Sequence, residues 1–294
     1  MSDAPDVAAG LELLARAAAP LAPQRLAMTI LGAHGRGGRL VWSGGLVRAM
    51  GEFGFSDGAA RVALGRLVRR GMLARLREGR FIHYRLTDIG ERVMREGDRR
   101  IFSFGRTRRS SEVWTVVWQA IPEQHGFARW QLVGRLRFLG FGSLQDGTWV
   151  APHDMKEPIE ALLAEVGVAA HSIVLVGRPA QPRDLDVLVR RAWNLDHVAR
   201  RYETFVTAAS PLMGAPAGDL EAFVGRALVT DLFRRFPSED PELPDDPVGL
   251  RPLRERALRI FDELFASLDA PAQRLFDAVT RSPSLLATSA TGDP

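Results

Sequence analysis

Cysteine is missing from all 294 residues. That excludes disulfides and thiolate metal sites. Lysine is nearly missing as well: Lys156 is the single one, and the rest of the positive charge is arginine. No apolar run approaches the roughly 20 residues that cross a bilayer. The opening residues, MSDAPDVAAG, are acidic and lack the basic start and apolar stretch of a secretion signal. The expected compartment is the cytoplasm, with no membrane partner. Catalytic signatures are missing too. His34, His83, His125, His153, His171 and His197 form no HExxH or HxxxH pair, and no GxSxG elbow, P-loop or dinucleotide fingerprint occurs. GRGG (35–38) and GFG (140–142) read as turns. The neighbours His153 and Asp154 read as loop residues rather than an acid–base pair. No enzyme activity, metal or cofactor is expected.

What is present is an uneven charge. The chain carries a formal +4, but residues 25–109 hold 19 Arg against 7 acidic residues, while residues 110–294 hold 19 basic against 25 acidic ones. A basic module on a mildly acidic body points to a polyanionic partner for that module. At 46% hydrophobic residues the chain can bury ordinary cores, and its length suits two or three domains.

Residues 1–24 are Ala- and Pro-rich and are expected to be a flexible N-terminus, with a short helix from Leu11 to Ala19 that frays. Leu26 to Ala33 is an apolar helical segment. Ser43 is a candidate N-cap for a second helix and Ser56 for a third. LARLREGRFIHYRLT then alternates as a hairpin around Glu78-Gly79, and Thr87 caps a helix running through Arg100. Helix, helix, turn, helix, hairpin, helix is the order of a winged helix-turn-helix, spanning residues 25–105. RTRRSS (106–111) is a plausible linker. The strand WTVVWQAIP, an amphipathic helix from Ala128 to Leu139 with Trp130 among its apolar positions, a hairpin with an Asp146-Gly147 turn, a helix from Met155 to Val166 and a strand from His171 to Val176 follow. That β-α-β-β-α-β order is ferredoxin-like and covers residues 106–182. Residues 183–281 are predominantly helical, and 282–294 read as a disordered tail. The fold class is α+β and multidomain.

The third helix, SDGAARVALGRLVRRGML, concentrates charge although it contains interior glycines. On a helical wheel Ala60, Leu64, Leu67 and Val68 form one side, with Ala63 and Gly71 at its edges. Gly58, Val62, Gly65, Arg66 and Arg69 form the other. A face that is small in the middle and cationic at its edges suits a major groove about 12 Å wide, where Arg bonds guanine or holds phosphate. The expected DNA-contacting residues on this helix are Ser56, Gly58, Arg61, Val62, Arg66, Arg69 and Arg70. The hairpin adds Arg75, Arg77, Arg80 and His83, placed for the backbone or the minor groove.

RVALGRLVRRGML with FIHYRLTDIGERV, RLRFLGFGSLQDGTWVAP (135–152), and RAWNLDHVARRYETFV (191–206) with LVTDLFRRFPSEDPELP (228–244) resemble, in this order, the PaaX-type regulators of aromatic acid catabolism. The resemblance covers roughly residues 25–280. It implies a repressor with an N-terminal winged helix, a central Cas2-like domain and a C-terminal helical effector and dimerisation domain. It implies a homodimer on an inverted-repeat operator in double-stranded DNA, released by an aryl-acyl-CoA such as phenylacetyl-CoA or a related metabolite. An acyl-CoA needs cations for its phosphates and an apolar slot. With the resemblance, that chemistry selects Trp193, His197, Arg200, Arg201, Tyr202, Phe205, Phe233, Arg234 and Arg235 as expected effector residues. The Cas2-like label does not bring nuclease chemistry, because WTVVWQAIP lacks the acid that holds the metal in that nuclease family. After DPELP the chain reads DDPVGLRPLRERALRIF, without the Trp usual in the family, which leaves the effector's identity open. Two other readings remain: a Cas2-like metal-dependent nuclease and a ligand-independent DNA-bridging protein.

Overall fold

The computed structural model describes residues 7–106, 113–178, 182–215, 217–243 and 249–281. The linker expected after Arg106, the tail 282–294, and 244–248 within the segment that departs from the family pattern lie outside the described residues. The chain forms two compact units, 1–99 with 204–233 and 259–294, and 100–203 with 234–258. These units partition the chain differently from the three consecutive segments read in the sequence.

The first unit contains α1 (Val7–Ala18), α2 (Pro23–His34), β1 (Val41–Trp42), α3 (Ser43–Gly51), α4 (Asp57–Arg69), β2 (Leu73–Glu78), β3 (Phe81–Leu86) and most of α5 (Asp88–Ser103). The helix expected to fray is packed instead: α1 buries Gly10, Leu14 and Ala18, and a side chain at Gly10 would overlap Leu212. Ser43 is not a cap. It is the first helical residue, and extended Trp42 stands at the cap position without a side-chain bond. Trp42 is held there by pairing with His83, just as Val41 pairs with Tyr84, so strand pairing sets where α3 begins. The three strands run β1-β3-β2, all antiparallel. Glu78 pairs with Phe81, so the turn is Gly79-Arg80, one residue later than expected, with Gly79 at φ +58°. Thr87 caps α5 through a 3.1 Å bond from the Gly90 amide.

Later helices complete this unit. α10 (Asp219–Phe233) packs on α13 (Asp269–Thr280), α1 and α2, and α13 packs on α3. Asp231, with 2% of its side chain exposed, pairs with Arg25 at 2.7 Å.

The second unit carries β4 (Trp114–Gln119), α6 (Gly126–Phe138), β5 (Gly142–Gln145), β6 (Thr148–Ala151), α7 (Lys156–Val166) and β7 (Ser172–Gly177). This is the β-α-β-β-α-β order read in the sequence. The sheet order is β5-β6-β4-β7, antiparallel throughout. Gln145 pairs with Thr148, which leaves Asp146-Gly147 as the turn, with Gly147 at φ +80°. Val117, Leu132, Leu136, Trp149, Ile159 and Leu163 centre the core. Trp130, expected on the apolar stripe of α6, is 71% exposed and stacks on Phe127. Leu132 and Leu136 alone occupy the buried line of that helix.

Helix α8 (Pro182–Ala192) lies on β5, where a side chain at Gly142 would meet Ala192 and Trp193 at 2.6 Å. Trp193 follows α8 and donates its indole N–H to the Gly140 carbonyl at 3.3 Å. The pairing of Trp118 with Ile173 and of Val116 with Leu175 puts these four on one sheet face. There Trp118, Ile173 and Leu175 stay exposed. α9 (Leu195–Ala209), α11 (Phe236–Glu239) and α12 (Leu250–Ser267) complete the described α-helices.

Candidate nucleic-acid interface

α4 is defined locally at both ends. The Ser56 hydroxyl accepts the Ala59 amide at 3.3 Å, and Asp57 adds negative charge to the first turn. At the other end the Met72 amide bonds the Leu67 carbonyl and the Gly71 amide bonds the Val68 carbonyl, with Gly71 at φ +69°. This double closure requires a left-handed residue, which glycine supplies. Gly71 therefore terminates the helix rather than edging its packed side.

The packed side is Ala60, Ala63, Leu64 and Leu67. Val68, expected in it, is only half-buried. Gly58, Arg61, Val62, Arg66, Arg69 and Arg70 are exposed, as is Ser56. Gly58, Val62, Gly65 and Arg69 recur at spacings of four, three and four, which is one line along a helix. Arg61 and Arg66 flank that line. A Cβ added at Gly58 would meet nothing within 4 Å, and one at Gly65 would meet only the Arg69 guanidinium at 4.0 Å. Packing within the described residues thus does not demand glycine at either position.

The hairpin continues the charge. Arg75, Arg77 and Arg80 are exposed. Arg77 donates to the Gly79 carbonyl at 2.9 Å, and Arg80 lies 5.0 Å from the centroid of Phe81. His83, grouped with these contacts from the sequence, is corrected: it is 4% exposed, with its Nδ1 3.8 Å from the Glu78 carboxylate. In the middle strand it stands between Trp42 and Leu76, its partners on the two flanking strands. Arg48 was missed in the sequence. It is exposed on α3, 4.8 Å above Trp42, whose ring meets Phe81 edge-on at 6.3 Å. Only the strand pairing that brings Trp42 beside the hairpin reveals it.

The nine expected effector residues are divided between the units. Trp193, His197, Arg200, Arg201, Tyr202, Arg234 and Arg235 fall in the second, and Phe205 and Phe233 in the first. Three of the four aromatic members do not offer open surface. Phe205 and Phe233 are 1% and 0% exposed, and Phe233 stacks on Phe261 at 4.0 Å. Tyr202 is 0% exposed, stacks on Phe236 at 4.0 Å and donates to Asp240 at 2.7 Å. These three are core residues: Tyr202 and Phe205 lie on the inward side of amphipathic α9, and Phe233 ends α10, which is buried on most sides. Arg201 pairs with Glu239 at 2.9 Å, and burial raises the Glu239 carboxyl above its ordinary range against the pull of Arg201. His197 is exposed in the first turn of α9, where its amide is capped by the Asn194 side chain at 3.0 Å. Trp193 borders a cleft of about 360 Å³ shared with Val189, Arg190, Arg191 and Leu195. The other eight expected residues are not in its walls.

Three family models match the chain. One described as PaaX-like protein covers residues 22–90, the PaaX protein central Cas2-like domain covers 107–189, and the PaaX-like protein C-terminal domain covers 193–278. The transcriptional repressor PaaX of Escherichia coli K12 is 29% identical over 223 residues, 72% of this chain and 68% of that protein. A solved structure of an uncharacterized Mycobacterium tuberculosis protein superposes with a TM-score of 0.51 at 22% identity, over 86% of this chain and 96% of that one. The last likeness concerns the fold alone. The Cas2-like name raises the question of a metal, and the donors do not fit one. β4 carries no carboxylate, and no cluster of three His, Asp or Glu side chains suited to a metal occurs among the described residues. No described helix is long and apolar enough to cross a membrane. Three matched segments in order, together with the aligned repressor, establish that the chain belongs to the PaaX-type family of regulators.

Proposed function

We propose that this chain is a sequence-specific transcriptional repressor working in the cytoplasm, whose residues 25–105 act as a winged helix-turn-helix. α4 enters the major groove, and the β2–β3 hairpin serves as the wing. The observation that carries this reading is the line Gly58, Val62, Gly65 and Arg69, exposed except at half-buried Gly65 and bordered by exposed Arg61 and Arg66. Glycine there costs roughly 1 kcal/mol of helix stability per position against alanine, and the described packing does not require it. An external surface approaching closely is a physical reason to keep it. The aligned repressor from E. coli supports the regulatory role.

The active form is a homodimer on an inverted repeat, with recognition helices about 34–36 Å apart. The exposed row Trp118, Ile173 and Leu175 supports self-association, since monomers seldom leave such a row open. It lies outside the 183–281 segment expected to dimerise. An acyl-CoA, or a related metabolite of aromatic acid breakdown, binds the region around Trp193 and favours a dimer geometry that no longer matches the half-sites. Coupling of about 1–3 kcal/mol changes operator affinity 5- to 150-fold. The protein is not an enzyme in this reading and needs no cofactor.

The test is selection of duplexes from a random pool by the purified protein, followed by gel-shift titration with CoA thioesters and free aromatic acids. An enriched inverted repeat, released by one of these compounds, is expected. Enrichment with no releasing compound overturns ligand release, and strong binding with no enrichment and no releasing compound leaves a ligand-independent DNA-bridging protein.

A further inference from the structure

We infer that Val62 reads the C5-methyl group of a thymine in each half-site; this rests on the DNA-binding reading above. Val62 is 53% exposed, a branched apolar side chain on a helix face whose other long side chains are Arg61, Arg66 and Arg69. It sits on the line Gly58, Val62, Gly65 and Arg69, the surface opposite the packed residues Ala60, Ala63, Leu64 and Leu67. On that line the residues before and after it have no side chain. Gly58 has open space where a Cβ would stand and Gly65 only the Arg69 guanidinium at 4.0 Å, so Val62 projects beyond its neighbours.

The charged residues cannot take its place. Arg61 is tied along the helix to Asp57 at 3.3 Å, and Arg69 follows about two turns later. Both suit phosphate or guanine. An isopropyl group offers no hydrogen bond, so at a base edge it discriminates only by shape and apolar contact. The major groove presents one apolar feature, the thymine methyl; cytosine shows an amino donor but no methyl. A β-branched side chain has a restricted χ1 and loses little freedom when it meets that methyl. Val62 therefore adds a sequence preference to a helix whose arginines mainly supply affinity.

The experiment uses the full-length protein and the duplex that it enriches from a random pool. Each thymidine is replaced singly by deoxyuridine, which removes only the methyl. At one position per half-site the wild-type protein should bind roughly fourfold more weakly, the ratio equivalent to one buried methylene. Val62→Ala, which suits an exposed helix position, should bind the thymidine and deoxyuridine duplexes alike. If every replacement is tolerated by the wild type, or Val62→Ala keeps the same discrimination, the inference is overturned while DNA recognition stands. If the wild-type protein enriches no sequence, the recognition reading falls and this inference with it.

Discussion

Asp240 accepts two hydrogen bonds from the Arg254 guanidinium, one on each carboxylate oxygen and each 2.7 Å long. The Tyr202 hydroxyl adds a third at 2.7 Å. The carboxylate is fully buried and the guanidinium nearly so. Burial raises the Tyr202 hydroxyl well above its ordinary pKa, and the Asp240 charge raises it further. Removing the acid strands a buried cation. Asp240→Ala should cost about 3–5 kcal/mol. Tyr202→Phe keeps the ion pair and should cost about 1–3 kcal/mol. Urea unfolding followed by fluorescence measures both, and equal losses would contradict this ranking.

Arg66→Ala and Arg69→Ala should weaken operator binding without affecting the fold, since both side chains are exposed. An arginine on a base should cost about 1–3 kcal/mol and relax preference at one position. One on a phosphate should weaken all sequences alike and lower the salt slope by about one unit. Gel shifts at several salt concentrations separate the cases. Unchanged affinity in both variants removes α4 from the interface.

Gly65→Ala should move stability and function in opposite directions. The added methyl meets only the Arg69 guanidinium, at 4.0 Å, and the helix gains roughly 0.5–1 kcal/mol. The same methyl stands where the groove would approach, so DNA affinity should fall. A higher thermal midpoint with weaker binding is the expected pair of results. A higher midpoint with unchanged binding would mean that the glycine has no role in approach.

His34 makes the first unit sensitive to acid. It is 7% exposed, its Nδ1 lies 2.8 Å from Gln273 Oε1, and it stacks on Phe276. Burial lowers its pKa from 6.5 to about 4, against the opposing bond to Gln273. Between these values the unfolded chain binds more protons than the folded one, so stability rises with pH. The contribution is complete above about pH 6.5 and is lost as pH falls toward 4, on the order of 3 kcal/mol in all. Subtracting the pH–stability curve of His34→Gln from that of the wild type isolates this group. A flat difference between pH 4 and 6.5 would contradict the assignment.

Trp118→Glu should shift the protein toward monomer in sedimentation velocity, because it places a charge in the exposed apolar row of the central sheet. An unchanged sedimentation coefficient would contradict self-association through this row.

Much of the arrangement is legible in short stretches of chain. The outward face of α4 follows from 3.6 residues per turn, and the Ser56 cap and the Asp146-Gly147 turn follow from neighbouring residues alone. The charge imbalance needs only counting. Features that depend on distant partners were not legible. Tyr202 meets Asp240 across 38 positions, and Arg39 pairs with Asp277 across 238. Trp130 fits an apolar stripe by spacing, yet it is exposed. Ser43 looks like a cap, yet pairing of Val41 and Trp42 with β3 moves the helix start.

The sequence by itself determined which surface of α4 is cationic and small, the β-α-β-β-α-β order and the family. These depend on periodicity and on motifs in order. Tertiary structure alone decided that Tyr202, Phe205 and Phe233 are core rather than ligand surface, and that His83 turns inward. It also decided that the C-terminal helices α10 and α13 share a unit with α1 to α4. Burial of a side chain is fixed by what packs against it, and in these cases the packing partner lies far away in the chain.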